Sequence, residues 1–350
     1  MPTRTPDARR RWWLKLAIMV ALQILVAAAL FEGIIALYFA HPVRREPLWT
    51  VARLIYGTVV RDVIQVNPEF ARFDPELLYT LRPGRFVWGQ REFTTRYEVN
   101  SLGVRDSEKA LDAPEVIVAG DSVAMGWGVE QDQTFAAIIG QRTGRRVLNA
   151  SVSSYGTARE MRLLDRVDRR ALRWLIVQYN VNDVGENRVF TVNGNRHIAS
   201  NRVKYERTVE RAQARRRYYP GRYVIQGLTL FERDVRQWIF PPSPRGPAPT
   251  PEEETDWFVN TLLHAGPADL MRARLVIFEL SAEGIVCPVV PLLRARVAAG
   301  RAPGPLRDAI LLDIPSRLGP DDFYVLDGHP NARAHRAIAD AILAAMGSSP

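Results

Sequence analysis

Cys287 is the only cysteine in this 350-residue chain, and there are only five histidines: His41, His197, His264, His329 and His335. A single cysteine forms no internal disulfide and builds no cysteine zinc site. No two histidines stand at the i, i+4 spacing of a helical zinc motif, so the residue supply argues against a metalloenzyme. Charge of one sign is not spread along the chain either. The formal net charge is +9, but the basic residues concentrate in two places. Arg4, Arg9, Arg10, Arg11 and Lys15 face only Asp7 at the start. Arg202, Lys204, Arg207, Arg211, Arg215, Arg216, Arg217 and Arg222 face only Glu206 and Glu210 in the stretch 201–222. Basicity this local does not predict a nucleic-acid partner. The second cluster reads either as a solvated helix with i, i+4 ion pairs or as a contact for anionic headgroups or an acidic polysaccharide. With 47% hydrophobic and 24% charged residues, the chain can bury a sizeable core.

One long apolar run is present. Trp12 to Ala40 is interrupted only by Lys15, Gln23, Glu32 and Gly33, and about 20 apolar residues suffice to span a bilayer. The run predicts one transmembrane helix over 12–40 after a basic cytoplasmic tail, 1–11. Glu32 falls near its outer end, and Trp12, Trp13 and Tyr38 suit the interfaces. The basic cluster before the run outweighs Arg44 and Arg45 after it, which keeps the N-terminus in the cytoplasm and places the rest in the periplasm of a Gram-negative cell. A cleaved signal peptide processed near Val26–Ala29 is the competing expectation.

Residues 41–110 read as a lead-in region with a small hairpin over 86–88 and 93–99. From Glu115 onward, short apolar runs alternate with helical spacing. The expected strands are 116–119, 146–149, 174–179, 285–292 and 323–326. Helices are expected near 135–142, 159–170, 268–283, 305–312 and 332–346. An insertion over about 186–255 carries the basic stretch and a proline-rich loop over 240–249, and Tyr218, Tyr219 and Tyr223 suggest a sugar-binding lid. Strands alternating with helices imply a parallel sheet covered on both faces, whose ligands bind beyond the carboxyl ends of the strands. Ser122, the loop 151–157, Asn182 and His329 each follow a strand, so four loops should meet at one edge.

The residue types at that edge suit nucleophilic catalysis. A serine hydroxyl needs a base, and the base needs an orienting acid. Ser122, His329 and Asp327 supply the three, with Asp-x-His expected to place both side chains on one side of an extended loop. Oxyanion donors are expected from the Ser122 N–H, a backbone N–H in the 151–156 loop and the Asn182 amide. His335 is a second histidine, expected to pack or cap inside the last helix.

The order Gly120-Asp-Ser122, then Asn149-Ala-Ser-Val-Ser-Ser-Tyr-Gly156, then Asn182-Asp183, then Asp327-Gly-His-Pro-Asn331 resembles the SGNH/GDSL hydrolases. The segments Asn100–Arg105 and Gly126–Val129 resemble that family's membrane-anchored bacterial branch. The resemblance covers about 115–345, within a hydrolase-like domain expected over 111–350. It implies a three-layer α/β/α, flavodoxin-like fold, no metal or organic cofactor, and ester chemistry through an acyl-serine. By the same resemblance, Ser122 is the nucleophile, His329 the base and Asp327 its orienting partner, with Ser122, Ser154 and Asn182 forming the oxyanion hole. One position departs: Ser154 stands where relatives carry a glycine. The expected function is a membrane-anchored esterase acting on O-acyl, chiefly acetyl, esters of an envelope glycan or lipid. An O-acyltransferase using the same site and a catalytically silent glycan-binding scaffold are the alternatives.

Overall fold

The computed structural model describes residues 6–198, 200–239 and 248–347, so the proline-rich loop lies outside the described residues except at its last two positions. The strands are β1 (Ala71–Asp74), β2 (Leu78–Leu81), β3 (Gly84–Gly89), β4 (Thr94–Val99), β5 (Val116–Ala119), β6 (Val147–Asn149), β7 (Trp174–Tyr179), β8 (Arg274–Glu279) and β9 (Ile310–Leu312). Helices α1 to α6 are Pro6–Ala40, Leu48–Ile55, Ser122–Met125, Phe135–Thr143, Thr157–Leu163 and Val184–Val192. Helices α7 to α11 are Arg202–Arg216, Arg222–Ile239, Pro251–His264, Val289–Ala298 and Ala332–Gly347. The chain divides into two compact units, Met1–Arg61 with Arg215–Arg245, and Asp62–Ala214 with Gly246–Pro350.

In the first unit, α1 is long and apolar enough to cross a membrane. Its 35 residues rise about 50 Å, more than the roughly 30 Å of a bilayer's hydrocarbon core. The carboxylate of Glu32 accepts the backbone N–H groups of Tyr223 (3.0 Å) and Val224 (3.1 Å) and the Tyr218 hydroxyl (3.2 Å). The one charge in α1 beyond Lys15 is thereby spent on capping the first turn of α8. Tyr223 also packs edge-on against Phe39. Tyr218 and Tyr223 therefore serve α1, in place of the lid expected of them.

The second unit is built on a five-stranded, fully parallel sheet in the order β6-β5-β7-β8-β9. Its strands are continuous apolar runs because both faces are covered. Ile117, Leu148, Leu175, Val177, Leu275 and Ile277 point to one core, under α5, α9 and α10. Val116, Val118, Trp174, Ile176, Val276 and Phe278 point to the other, under α4 and α11. That alternation makes the three layers. Local signals hold the helices in place. Thr134 caps α4 through the Ala137 N–H, and Gly144 ends it in the left-handed region. Thr250 and Glu253 form a capping box on α9, with Pro251 in its first turn.

The last quarter of the chain differs from expectation. Residues 268–272 form a short 3-10 turn, and the run Arg274–Glu279 is strand β8, not a helix. Its apolar residues have neighbours on both faces and hydrogen-bond to β7 and β9, which a strand allows and a surface helix does not. The crossover helix before it is α9, whose first turns fall in what reads as an insertion. No strand forms over 285–292; Pro288 leads into α10. The segment 305–312 is a 3-10 turn at 304–306 followed by β9. Residues 323–326 make only one bridge, Phe323 to Pro330. The lead-in also holds a second hairpin, β1 with β2, besides β3 with β4. The basic stretch is the helix α7, with an Arg202–Glu206 pair at 3.5 Å and Tyr205 buried against Tyr79 and Phe73.

Candidate functional site

The sheet order changes direction at β5, which is flanked by β6 on one side and β7 on the other. Open parallel sheets bind ligands just beyond that switch point. Ser122 follows β5 directly and Asn182 follows β7. Gly120 precedes them because nothing larger fits: a Cβ there would lie 2.6 Å from the Gln178 carboxamide oxygen and 2.7 Å from the Ala124 methyl. The same Gln178 oxygen accepts the Asp121 N–H at 3.2 Å, which fixes the turn carrying Ser122.

Ser122 Oγ lies 2.8 Å from His329 Nε2. The other ring nitrogen, Nδ1, bonds the carboxylate of Asp327, whose side chain has no exposed surface. The sequence thus brings its three expected residues together from positions more than 200 apart. The backbone between Asp327 and His329 is not extended, however. Gly328 takes φ +74 in a turn closed by its N–H on the Tyr324 carbonyl, and that left-handed residue folds the carboxylate back toward the imidazole.

Glu92, from the tip of the β3–β4 hairpin, holds this turn from behind. Its carboxylate accepts three successive backbone N–H groups: Val325 at 2.7 Å, Leu326 at 2.8 Å and Asp327 at 2.9 Å. Burial pushes the Glu92 carboxyl up, opposed by those three bonds, with the Asp327 charge adding to the rise. Trp127 packs beside the imidazole, ring centres 5.5 Å apart. Its loop is gripped by the buried Arg105 guanidinium, which donates to the carbonyls of Gly126 (2.5 Å) and Val129 (2.7 Å) and lies over Tyr97. The two segments 100–105 and 126–129 are therefore one structural device.

Asp121 organises the other flank. It is fully buried, and burial raises its carboxyl from the usual range. One oxygen accepts the Val123 N–H at 3.0 Å; the other accepts the side-chain amides of Asn180 (2.9 Å) and Asn182 (3.1 Å). An amide nitrogen carries two hydrogens, so this bond aims the Asn182 amide while leaving one N–H to donate. Deeper still, Glu160 and Asp183 are buried acids. Burial drives both well above the ordinary carboxylate range, and the like charges nearby, Asp183 for Glu160 and Asp121 for both, add to it. Neither points at His329 as a partner.

Ser154 sits at φ +61. The serine takes up the left-handed conformation that glycine adopts without cost, at a cost of roughly 1–2 kcal/mol. Its surroundings hold it there. The Gln65 amide donates to the Ser154 hydroxyl at 2.8 Å, Arg159 donates to its carbonyl at 2.7 Å, and the Tyr79 hydroxyl donates to the Ser153 carbonyl at 2.7 Å. Among the described residues the Ser154 backbone N–H has no partner. A cavity of about 740 Å³ opens beside this loop, lined among others by Gln65, Ser154, Arg159, Phe190 and Tyr205. His335 packs inside α11 as expected. It is fully buried, accepts the Phe135 N–H at 3.2 Å, and burial lowers its imidazole to about 3. Among the described residues no cluster of histidine, cysteine, aspartate and glutamate has the form of a metal site.

Glu92 and Gln65 are residues around the site that the sequence does not point out, because they lie in ordinary lead-in turns with no local pattern to mark them. Arg105 closes the Asn100–Arg105 segment, and Asn180 stands two residues before Asn182, so both are within reach of the sequence.

Comparison with known proteins follows the same residues. No curated protein matches the chain. A crystal structure of a carbohydrate esterase family 2 enzyme with a carbohydrate-binding domain, from Corynascus thermopiles (Myceliophthora fergusii), is similar at 13% identity and a TM-score of 0.33. The match covers 66% of this chain and 66% of that one. The GDSL-like Lipase/Acylhydrolase family matches residues 118–337, from the middle of β5 to the second turn of α11, with Ser122, Ser154, Asn182, Asp327 and His329 all inside. With well over half its length matched, the chain belongs to the GDSL-like lipase/acylhydrolase family.

Proposed function

We propose that this protein is a membrane-anchored serine esterase that hydrolyses O-acyl esters, chiefly acetyl esters, of an envelope glycan or lipid. The observation that carries this reading is the relay of Ser122 Oγ to His329 Nε2 at 2.8 Å with Asp327 on Nδ1. His329 takes the Ser122 proton as Oγ attacks the ester carbonyl. Asn182 and the N–H groups of Ser122 and Ser154 receive the oxyanion. The ester C–O bond then breaks, and His329 returns the proton to the departing alcohol. Water repeats the sequence on the acyl-serine and releases the acid. A sugar hydroxyl in place of water would make the same site an O-acyltransferase. The cavity beside Ser154 falls within the size range of small-molecule sites and leaves room for an alcohol of saccharide size. The assembled relay favours a working enzyme over a silent glycan-binding scaffold. With α1 as the anchor and Arg9, Arg10 and Arg11 in its first turns, ahead of the apolar run, the N-terminus stays cytoplasmic and the enzyme unit faces the periplasm.

The test is fluorophosphonate labelling of the full-length protein in detergent, with the labelled peptide mapped by mass spectrometry, beside p-nitrophenyl acetate turnover. Label on Ser122 with turnover is expected; folded protein that shows neither would remove the esterase reading. Acetylated saccharide with and without excess free acceptor then separates hydrolysis from transfer.

The lead-in region takes part in this chemistry. Gln65→Ala is expected to lower kcat by about tenfold, less than the 10²–10³ of losing an oxyanion donor outright, with KM nearly unchanged. Adding Ser154→Gly should restore most of the loss, because glycine holds φ +61 without the Gln65 clamp. An equal loss in the glycine background would show that Gln65 acts elsewhere.

A further inference from the structure

Helix α8 has three faces, and only two of them are accounted for. Tyr223 and Gly227 lie against α1, at Phe39 and Phe31. Gln226, Thr229, Arg233 and Gln237 form a polar face at helical spacing. The third face carries Ile225, Leu228, Phe231, Trp238 and Ile239, each between 51% and 84% exposed. Glu232 stands at the edge of this face, paired with Arg236 at 2.5 Å; exposed apolar residues gathered on one face in this way mark an interaction surface.

We propose that α8 is an interfacial membrane helix that lays this face into the headgroup and upper acyl-chain region of an anionic bilayer beside α1. The occupant follows from its neighbours. Glu32 ties the first turn of α8 to α1, a helix fit to span whose neighbouring turns expose Leu30, Ile34 and Leu37. Arg215, Arg216 and Arg217 gather exposed just before α8, while Arg222 at its start is buried and donates to the Arg215 carbonyl at 2.8 Å. Arginines there attract anionic lipid, and exposed Tyr218, Tyr219 and Trp238 are the side chains that settle at headgroup level. The pairs Arg233–Asp234 and Arg236–Glu232 add charge that a spanning helix does not carry. An apolar face opposite a charged face, beside an anchor, is the pattern of a helix lying in the plane of the interface. The inference rests on α1 spanning the bilayer.

The experiment uses nitroxide labels on the full chain in vesicles of phosphatidylcholine and phosphatidylglycerol, with the buried native thiol removed by Cys287→Ser. Labels are placed singly through Leu228→Cys, Phe231→Cys, Arg233→Cys and Gln237→Cys, with Leu22→Cys as the α1 control. Collision with oxygen, which concentrates in lipid, is compared with collision with a water-soluble nickel complex. The expected result is a several-fold preference for oxygen at Leu22, Leu228 and Phe231 and for nickel at Arg233 and Gln237. Leu228 and Phe231 open to nickel while Leu22 prefers oxygen would overturn the α8 placement alone. The same two labels shielded from both agents would mean that protein covers the stripe, which overturns it equally. A Leu22 label open to nickel would sink the anchor and the α8 placement together.

Discussion

Ser122→Ala is expected to abolish fluorophosphonate labelling and to cut kcat for ester hydrolysis by about 10⁶-fold, down to what binding and the oxyanion donors supply alone. The size of the effect follows from the geometry. On the proposed mechanism, removing Oγ takes away the atom that forms the acyl bond, and among the described residues no second nucleophile stands ready. Cys287 is the only thiol; it is buried, and its proton is held far more tightly than an ordinary thiol's. Asp121 has both carboxylate oxygens engaged by Val123, Asn180 and Asn182. The cost to folding should be small, because the hydroxyl's partners are His329 and, at 3.4 Å, Asp121, and the methyl fits where the methylene stood. The decisive measurement is a double mutant. On the proposed mechanism Ser122 and His329 act as one relay, so His329→Ala added to Ser122→Ala should lower the residual rate no further. An independent, multiplying loss would mean that the two residues do not share a step, whatever their 2.8 Å separation.

How much of this was legible in the sequence depended on distance along the chain. β5 and β7 were readable because Val-Ile-Val-Ala and Trp-Leu-Ile-Val-Gln-Tyr are short apolar runs ending in polar turns. β8 is the same kind of run, yet without a turn signal its continuous apolar residues fit a buried helix equally well. Reading 268–283 as helix leaves the true crossover helix α9 split between the insertion, which takes its first five residues, and an unassigned stretch, and displaces the next strand to 285–292. β9, three residues long, is too short to carry any period. The site divides in the same way. Ser122, Asn182, Asp327 and His329 stand in local motifs, and Ser154 was visible as a serine in a glycine's place. The residues that hold them do not announce themselves. Glu92 reaches Asp327 across 235 positions and Gln65 reaches Ser154 across 89. Such contacts exist only because the hairpin β3–β4 and the turn at 64–66 pack beside the sheet's carboxyl edge. A lead-in that reads as a spacer is, in the folded chain, the back wall of the site.

That wall decides the second large effect. Asp327→Asn is expected to lower kcat by about 10⁴-fold while leaving KM and the fold nearly intact. On the proposed mechanism the carboxylate on Nδ1 holds His329 in the tautomer that presents an unprotonated Nε2 to Ser122, and it stabilises the imidazolium once the proton has moved. An asparagine of the same shape can turn an N–H toward Nδ1. That forces the proton onto Nε2, where the ring can no longer accept from Ser122. The alternative amide orientation would point the oxygen at Nδ1, but it supplies no charge for the imidazolium. The turn itself should survive, because Glu92 binds the backbone N–H groups of 325–327 and not the Asp327 side chain. The fold control is therefore thermal unfolding, with a midpoint close to wild type. Glu92→Gln gives the contrast. It leaves Asp327 in place but weakens the three bonds that fix its turn, so it should reduce stability and kcat together. If Asp327→Asn cost less than tenfold in kcat, the orienting role would not belong to Asp327. If Glu92→Gln lowered kcat with no loss of stability, Glu92 would act on His329 through its charge and not through the turn.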